Sequence, residues 1–294
     1  METTTTCANC GKGEEESNNL KACVACKMVK YCNRDCQIAH RKQHKKACKK
    51  RAAELYDEKL FKEVEREECP ICLLPMPIDT RESIFHVCCG KNICNGCCYE
   101  MVLSEGKDLC PFCRAQTRAM SPHEHVKRMK KLIDNGNALA FYQLGGYYER
   151  GLNGVPQDSR KAVELYLKAG QHGCPGGYFN LGMSYDEGEG VEVDKKKAKH
   201  YYELAAIGGS IQARNNLGCM EGEAGNEQRA LKHLTLAAKA GNKLSLDIVK
   251  DGFMGGMITK DEYENTLRLY QARQDEMKSD ARDKARASTG IFMR

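Results

Sequence analysis

The chain has 294 residues, room for two or three domains, with a net charge of +6 and 18 cysteines. No stretch approaches the roughly 18 consecutive apolar residues of a membrane helix, and Met1–Thr6 lacks the apolar run of a signal peptide. A secreted disulfide scaffold is therefore not expected. Close cysteine pairs in such a chain point to metal-binding thiolates in a reducing compartment, cytosol or nucleus. Fifteen cysteines and one histidine form two successive sets of eight candidate ligands: Cys7, Cys10, Cys23, Cys26, Cys32, Cys36, His44 and Cys48, then Cys69, Cys72, Cys88, Cys89, Cys94, Cys97, Cys110 and Cys113. Eight ligands satisfy two tetrahedral zinc ions, so four zincs are expected.

The first module spans residues 1–48. A Cys-x2-Cys pair supplies half a tetrahedron, so each metal must recruit a distant second pair. Cys32-x3-Cys36 and His44-x3-Cys48 have the spacing that puts two side chains on one helix face, which predicts helices over Asn33–Cys36 and Ile38–Cys48. The repeated spacing favours His44 as ligand over His40, which is read as an exposed histidine. Ten Lys or Arg and one acid, Asp35, lie between Lys27 and Arg51. Such a stripe could meet nucleic acid or an acidic partner; the favoured reading is that surface lysines offset the thiolates. The scarcity of aromatic residues beyond Tyr31 argues against nucleic acid.

This run, with Tyr31-Cys32 and the terminal His44-x3-Cys48, closely resembles the MYND-type zinc finger, with a longer interval between Cys10 and Cys23. The resemblance implies interleaved sites: Cys7, Cys10, Cys32 and Cys36 on one zinc, and Cys23, Cys26, His44 and Cys48 on the other. It also implies a docking module for short, often proline-rich peptides. Nothing here resembles the catalytic domain that some MYND proteins carry.

Residues 49–68 are dense in charge, with Leu55, Leu60, Phe61 and Val64 at helical intervals, and are expected to form a helical linker. The second module, residues 69–114, opens with Cys69-Pro-Ile-Cys72 and closes with Cys110-Pro-Phe-Cys113. It resembles a RING domain with an all-cysteine ligand set. Lys91 stands at the usual histidine position and cannot ligate, so Cys88 and Cys89 are expected to serve together. Cross-bracing then pairs Cys69 and Cys72 with Cys94 and Cys97, and Cys88 and Cys89 with Cys110 and Cys113. Cys98 is a spare packed thiol. The family's docking surface for a ubiquitin-conjugating enzyme maps onto Ile71, Pro111 and Arg114, with Tyr99 and Leu103 on the central helix but no tryptophan.

Past Arg114 a period appears. Leu144-Gly145-x2-Tyr148 recurs as Leu181-Gly182-x2-Tyr185 and, weakened, as Leu217-Gly218. Asp158 is matched by Asp194, Ala162 by Ala198, Tyr166 by Tyr202, and Ala169 by Ala205 and Ala237. A period near 36 residues means stacked helix hairpins. Gly136, Gly173, Gly209 and Gly241 sit where helices should end, and Asp158 and Asp194 where they should begin. Ser121-Pro122-His123-Glu124 has the form of a capping box that starts a lone leading helix. These units resemble the Sel-one-like repeat, a relative of the tetratricopeptide repeat, which implies a groove for protein partners. His172 and His233 read as ordinary repeat histidines, and Cys174 and Cys219 as packing residues. The array is expected over 115–281, followed by a polar, fraying tail at 282–294.

The expected architecture is mainly α: two small zinc-stapled modules followed by an α-solenoid. The expected function is a protein–protein interaction adaptor, with a RING-type ubiquitin ligase whose array selects substrate as the alternative.

Overall fold

The computed structural model describes residues 6–13, 20–105, 109–116 and 120–288. It forms two compact units, Met1–Lys62 and Glu63–Arg294.

In the first unit, strand β1 (Lys21–Ala22) pairs antiparallel with β2 (Lys30–Tyr31). Helix α1 (Arg34–Leu60) follows, its first turn capped by Asn33, which accepts from the Cys36 N–H at 2.8 Å. The two short helices and most of the linker expected from the sequence are thus one helix of 27 residues. No Gly or Pro interrupts residues 34–60, so nothing stops propagation once the cap has nucleated it. Leu20 and Tyr31 supply the apolar core around the cysteines.

In the second unit, residues 63–68 are not helical, which corrects the expected extent of the helical linker. Strand β3 (Ser83–His86) pairs antiparallel with β4 (Lys91–Cys94), with Ile84 opposite Ile93. Helix α2 (Asn95–Glu105) completes the second cysteine module.

The array then runs α3 (Pro122–Asp134), α4 (Ala138–Arg150), α5 (Ser159–Gln171), α6 (Pro175–Glu187), α7 (Lys195–Ile207), α8 (Ile211–Glu223), α9 (Glu227–Lys239), α10 (Lys243–Met254) and α11 (Lys260–Glu276). Asp158 accepts from the Lys161 N–H, and Asp194 from those of Lys196 and Lys197, starting α5 and α7. Gly136, Gly173, Gly209 and Gly241 all have φ between +75° and +104°, the left-handed turn that ends α3, α5, α7 and α9. At α3 the Ser121 side chain accepts from the Glu124 N–H, but the reciprocal half of the expected box is replaced. The Glu124 carboxylate accepts from Arg128 at 3.0 Å instead. Cys174 is buried as expected, whereas Cys219 is exposed and does not pack.

The second cysteine module and the array share one core. Val87, just after β3, is buried with Val126, Met129, Leu144 and Tyr166, and Phe85 packs against the same cluster. Asn137 Nδ2 donates to the Gly90 carbonyl at 3.3 Å. The segment between Cys72 and β3 lies on the inter-repeat turns. Gln212 Nε2 donates to the Ile78 carbonyl at 2.9 Å, and a Cβ on Gly241 would stand 2.8 Å from Ile78 Cδ1. The module at 69–114 and the array that follows it thus lie within one compact unit.

Residues 282–288 do not form a fraying tail, while residues 289–294 of that expected tail lie outside the described residues. Helix α12 (Asp280–Ala287), capped by Ser279, packs on α2 with Arg282 and Ala285 buried.

Candidate metal centres

Four groups bring their ligand atoms within 4.8 Å of one another: Cys7, Cys10, Cys32 and Cys36; Cys23, Cys26, His44 and Cys48; Cys69, Cys72, Cys94 and Cys97; Cys88, Cys89, Cys110 and Cys113. The backbone builds four similar knuckles. The N–H of Gly11, Lys27, Leu73 and Arg114 donates to the carbonyl of Cys7, Cys23, Cys69 and Cys110 respectively, at 2.9 to 3.0 Å. Each of these donors is left-handed, with φ between +56° and +76°. Only Gly11 adopts that conformation without strain; Lys27, Leu73 and Arg114 are held there by the closed loop.

Sulfur separations decide what the clusters can hold. Cys32 and Cys36 lie 3.5 Å apart, Cys10 and Cys32 3.6 Å, Cys23 and Cys48 3.7 Å. In the second module Cys69 and Cys97 are 3.8 Å apart, Cys72 and Cys94 3.8 Å, and Cys89 and Cys110 3.6 Å. A disulfide needs about 2.05 Å. A tetrahedron with Zn–S bonds of about 2.3 Å has edges near 3.8 Å, so the separations fit zinc. Cys26 Sγ lies 3.1 Å from His44 Nε2, which assigns that nitrogen to the cluster side of the ring.

The thiols are pushed in opposite directions within each cluster. Burial raises Cys7, but the amides of Cys10, Cys32 and Asn9 outweigh it and bring it down to about 6. Burial also raises Cys23, and the Cys26 amide and His44 side chain reverse this to about 6. In the same clusters Cys32, hydrogen-bonded to Cys36, is pushed up to about 12, and burial lifts Cys48 to about 12. Burial and the Cys110 and Cys113 side chains push Cys88 up, and burial and Cys94 do the same to Cys97. Four thiolates cannot share so small a space without a cation, which is what a divalent soft metal supplies.

His40 is not the exposed residue the spacing suggested. Its Nδ1 lies 3.1 Å from Tyr31 Oη, and its ring stacks on His44 at 5.7 Å. Tyr31 and His40 thus brace the His44 ring, a supporting role that outer residues of metal sites often take. Cys98 packs half-buried among Cys69, Ile93 and Met101, outside both cysteine clusters of its module.

The residues proposed to meet a conjugating enzyme are solvent-facing. Ile71, Pro111 and Arg114 are all exposed, as is Leu103 on α2. Sequence reasoning missed Arg282, whose guanidinium reaches Cys72 Sγ at 3.7 Å. Ser279 followed by Asp280, Ala281 and Ala285 is a legible helix start, but nothing in it names the surface it covers.

A family model for the MYND finger matches residues 7–48, and one for the Sel1 repeat matches 138–174, 175–210 and 211–242. Among curated proteins, the chain is 32% identical over 113 residues to the ERAD-associated E3 ubiquitin-protein ligase component HRD3B of Arabidopsis thaliana. That match covers 38% of this chain and 18% of the relative. It is also 32% identical over 90 residues to an uncharacterised protein of Neisseria meningitidis serogroup B, covering 31% and 19%. The chain therefore matches less than a fifth of the length of either relative. Among solved structures, a Sel1 repeat protein from Oxalobacter formigenes is 24% identical, with a TM-score of 0.45 over 51% of this chain and 64% of that one. A protective antigen of uropathogenic Escherichia coli displaying an SLR fold is 28% identical, with a TM-score of 0.46 over 54% and 34%. Residues 7–48 are a MYND finger and residues 138–242 are Sel1 repeats, with two further cysteine clusters between them.

Proposed function

We propose that the chain is a zinc-stapled adaptor that joins protein partners, holding four zinc ions on the sixteen ligands named above. The observation that carries this reading is the cleft between the Cys23–Ala25 knuckle and α1. Val24 is 81% exposed and Ile38 58% exposed, an apolar pair that lines this cleft and stands open to a partner. Arg34, Arg41 and Lys45 line the same cleft. An apolar floor edged by cations suits a short peptide with hydrophobic or proline anchors and flanking acids. The repeat array offers a second partner surface, as Sel1 repeats are protein-interaction modules. The reduced thiols suit a cytosolic or nuclear site, and no described helix is long and apolar enough to cross a membrane.

The test is calorimetric titration of the zinc-loaded protein with proline-rich peptides carrying flanking acidic residues. Binding that is lost in Val24→Asp and Ile38→Asp, with zinc content unchanged, supports the cleft. Binding that survives both substitutions overturns it.

The second reading, a RING-type ubiquitin ligase, is favoured by one observation: Ile71, Leu103, Pro111 and Arg114 are all open to solvent. The likeness to a plant ligase component is partial and does not extend the reading to this chain. Lys91 at the usual histidine position and the missing tryptophan weigh for the adaptor. Self-ubiquitination over a panel of conjugating enzymes separates the two.

A further inference from the structure

Helix α12 ends the described chain on the second cysteine module, some two hundred residues from it in sequence. The approach is close: a Cβ on Gly96 would stand 2.8 Å from both the backbone nitrogen and Cγ of Arg282. Only glycine at the start of α2 lets the two helices meet this way. Arg286 closes the outer end with a bidentate pair to Glu82, at 2.8 and 2.9 Å.

Arg282 is the unusual residue in this contact. It is 3% exposed, and its Nη1 donates to the carbonyls of Pro75 at 2.9 Å and Met277 at 3.1 Å. Those carbonyls satisfy hydrogen bonds but carry no charge. Its Nη2 points at Cys72 Sγ, 3.7 Å away, the charge partner that an interior guanidinium needs. One divalent ion on four thiolates leaves a formal charge of about two minus, so a metal-loaded centre at Cys69, Cys72, Cys94 and Cys97 supplies that partner.

We infer that Arg282 is a positioning residue for this centre: it neutralises part of the thiolate charge and so couples metal retention there to docking of the C-terminal helix. The inference rests on the zinc reading given above. The coupling is reciprocal, because whatever factor docked α12 adds to metal affinity, bound metal adds to docking of α12. The C-terminal end of the repeat array is thereby fastened to the cysteine module by a contact that senses whether one particular metal centre is filled.

The experiment is pulsed thiol alkylation of the full zinc-loaded chain, read by mass spectrometry cysteine by cysteine, with total zinc measured in parallel. Arg282→Gln keeps an amide donor but removes the charge, on a shorter side chain. Outer-residue substitutions typically weaken metal binding about 10- to 100-fold. Labelling of Cys69, Cys72, Cys94 and Cys97 should therefore speed up at least about tenfold in this variant, while Cys7, Cys10, Cys32 and Cys36 stay at the wild-type rate. Arg286→Ala removes only an exposed pair and should stay within about threefold of wild type. Unchanged labelling in Arg282→Gln, with zinc present, overturns the coupling. Wild-type protein whose four cysteines label at once, with zinc below four equivalents, overturns the metal reading itself and the coupling with it. If Arg282→Gln does not fold, Arg282→Lys carries the test: it retains the charge, and labelling at wild-type rates there supports the charge argument, whereas a tenfold rise refutes it.

Discussion

Gly182 sets its bare Cα against the ring of Tyr202: a Cβ there would stand 2.6 Å from Tyr202 Cδ1. The relation recurs one repeat earlier, where a Cβ on Gly145 would stand 2.7 Å from Tyr166 Cε1, and one later, where Gly218 meets Leu234 Cγ at 2.5 Å. Tyr166 and Tyr202 are fully buried, each packed between consecutive hairpins. The glycine and the large residue 16 to 21 positions on are therefore one packing device, which is why they recur together along the chain.

Gly182→Ala should destabilise the array by about 1–3 kcal/mol, because the tyrosine is hemmed in and cannot yield without off-rotamer strain. Gly222→Ala on α8 is the contrasting case. Its Cβ would meet nothing nearer than Ala230 Cβ at 3.9 Å, so the gain in helix propensity, up to about 1 kcal/mol, should appear as added stability. Urea unfolding followed by far-ultraviolet circular dichroism measures both. Equal effects of the two substitutions would contradict the packing account.

What was legible in the sequence was what repeats or pairs. Cys-x2-Cys spacing marked cysteines that converge into clusters, and period-36 matches marked Gly145, Tyr166 and their partners, because each signal is stated several times over. The merging of the second cysteine module with the array was not legible. It depends on single residues: Val87 in the core of α3 to α5, Asn137 on the Gly90 carbonyl, Gln212 on the Ile78 carbonyl. None belongs to a periodic pattern. The length of α1 is hidden for a different reason, since separate ligand pairs suggest separate helices where no breaker divides them. The C-terminal helix was missed because a buried arginine among charged neighbours looks like any solvated face.

That shared core changes what metal removal should do. Structural zinc contributes about 10–16 kcal/mol per site near neutral pH, so a strong chelator should unfold both cysteine modules. An independent array would keep its melting temperature. With Val87 and Phe85 set into the core of α3 to α5, the array should instead melt several degrees lower after chelation and lose part of its helical signal. An unchanged melt would show that the contact carries no energy.

Cys88 and Cys89 are adjacent, yet both belong to the cluster with Cys110 and Cys113. Metal analysis of protein purified without chelators should return four zincs per chain. Cys89→Ser should lower that count by about one, while Cys98→Ala should not, since its half-buried side chain lies outside the clusters. A full count in Cys89→Ser would transfer the ligand role elsewhere.

Acid should weaken the array through His233. This residue is fully buried, and burial first, then the Arg214 and Arg229 charges, bring its pKa down from 6.5 to about 4. The folded state therefore holds it neutral at pH values where the unfolded chain binds a proton. Its contribution to stability is present above about pH 6.5 and lost progressively as pH falls towards 4, by an amount on the order of 3 kcal/mol. His233→Leu should flatten the decline in urea midpoint between pH 6.5 and 5. An equally steep decline in the variant would place the acid sensitivity in other groups, His86 and His125 among them, whose pKa values burial also lowers.

The two functional readings part at Ile71 and Arg114. On the ligase reading, Ile71→Ala should abolish docking of a conjugating enzyme, because an exposed apolar anchor is what such a partner would bury. Arg114→Ala should spare docking and slow transfer, since it removes only a group that would fix the reactive pose. Arg114, however, is also the left-handed residue that closes its knuckle, with φ +56° and its N–H on the Cys110 carbonyl. Arg114→Gly relieves that strain by about 1–2 kcal/mol while removing the same side chain, so it separates the two roles. Transfer that falls equally in Arg114→Ala and Arg114→Gly, with zinc content full in both, would assign the arginine side chain to the reaction. A wild-type protein inert with every conjugating enzyme, with both variants binding partner peptides at the Val24–Ile38 cleft as tightly as wild type, is the outcome expected of the adaptor.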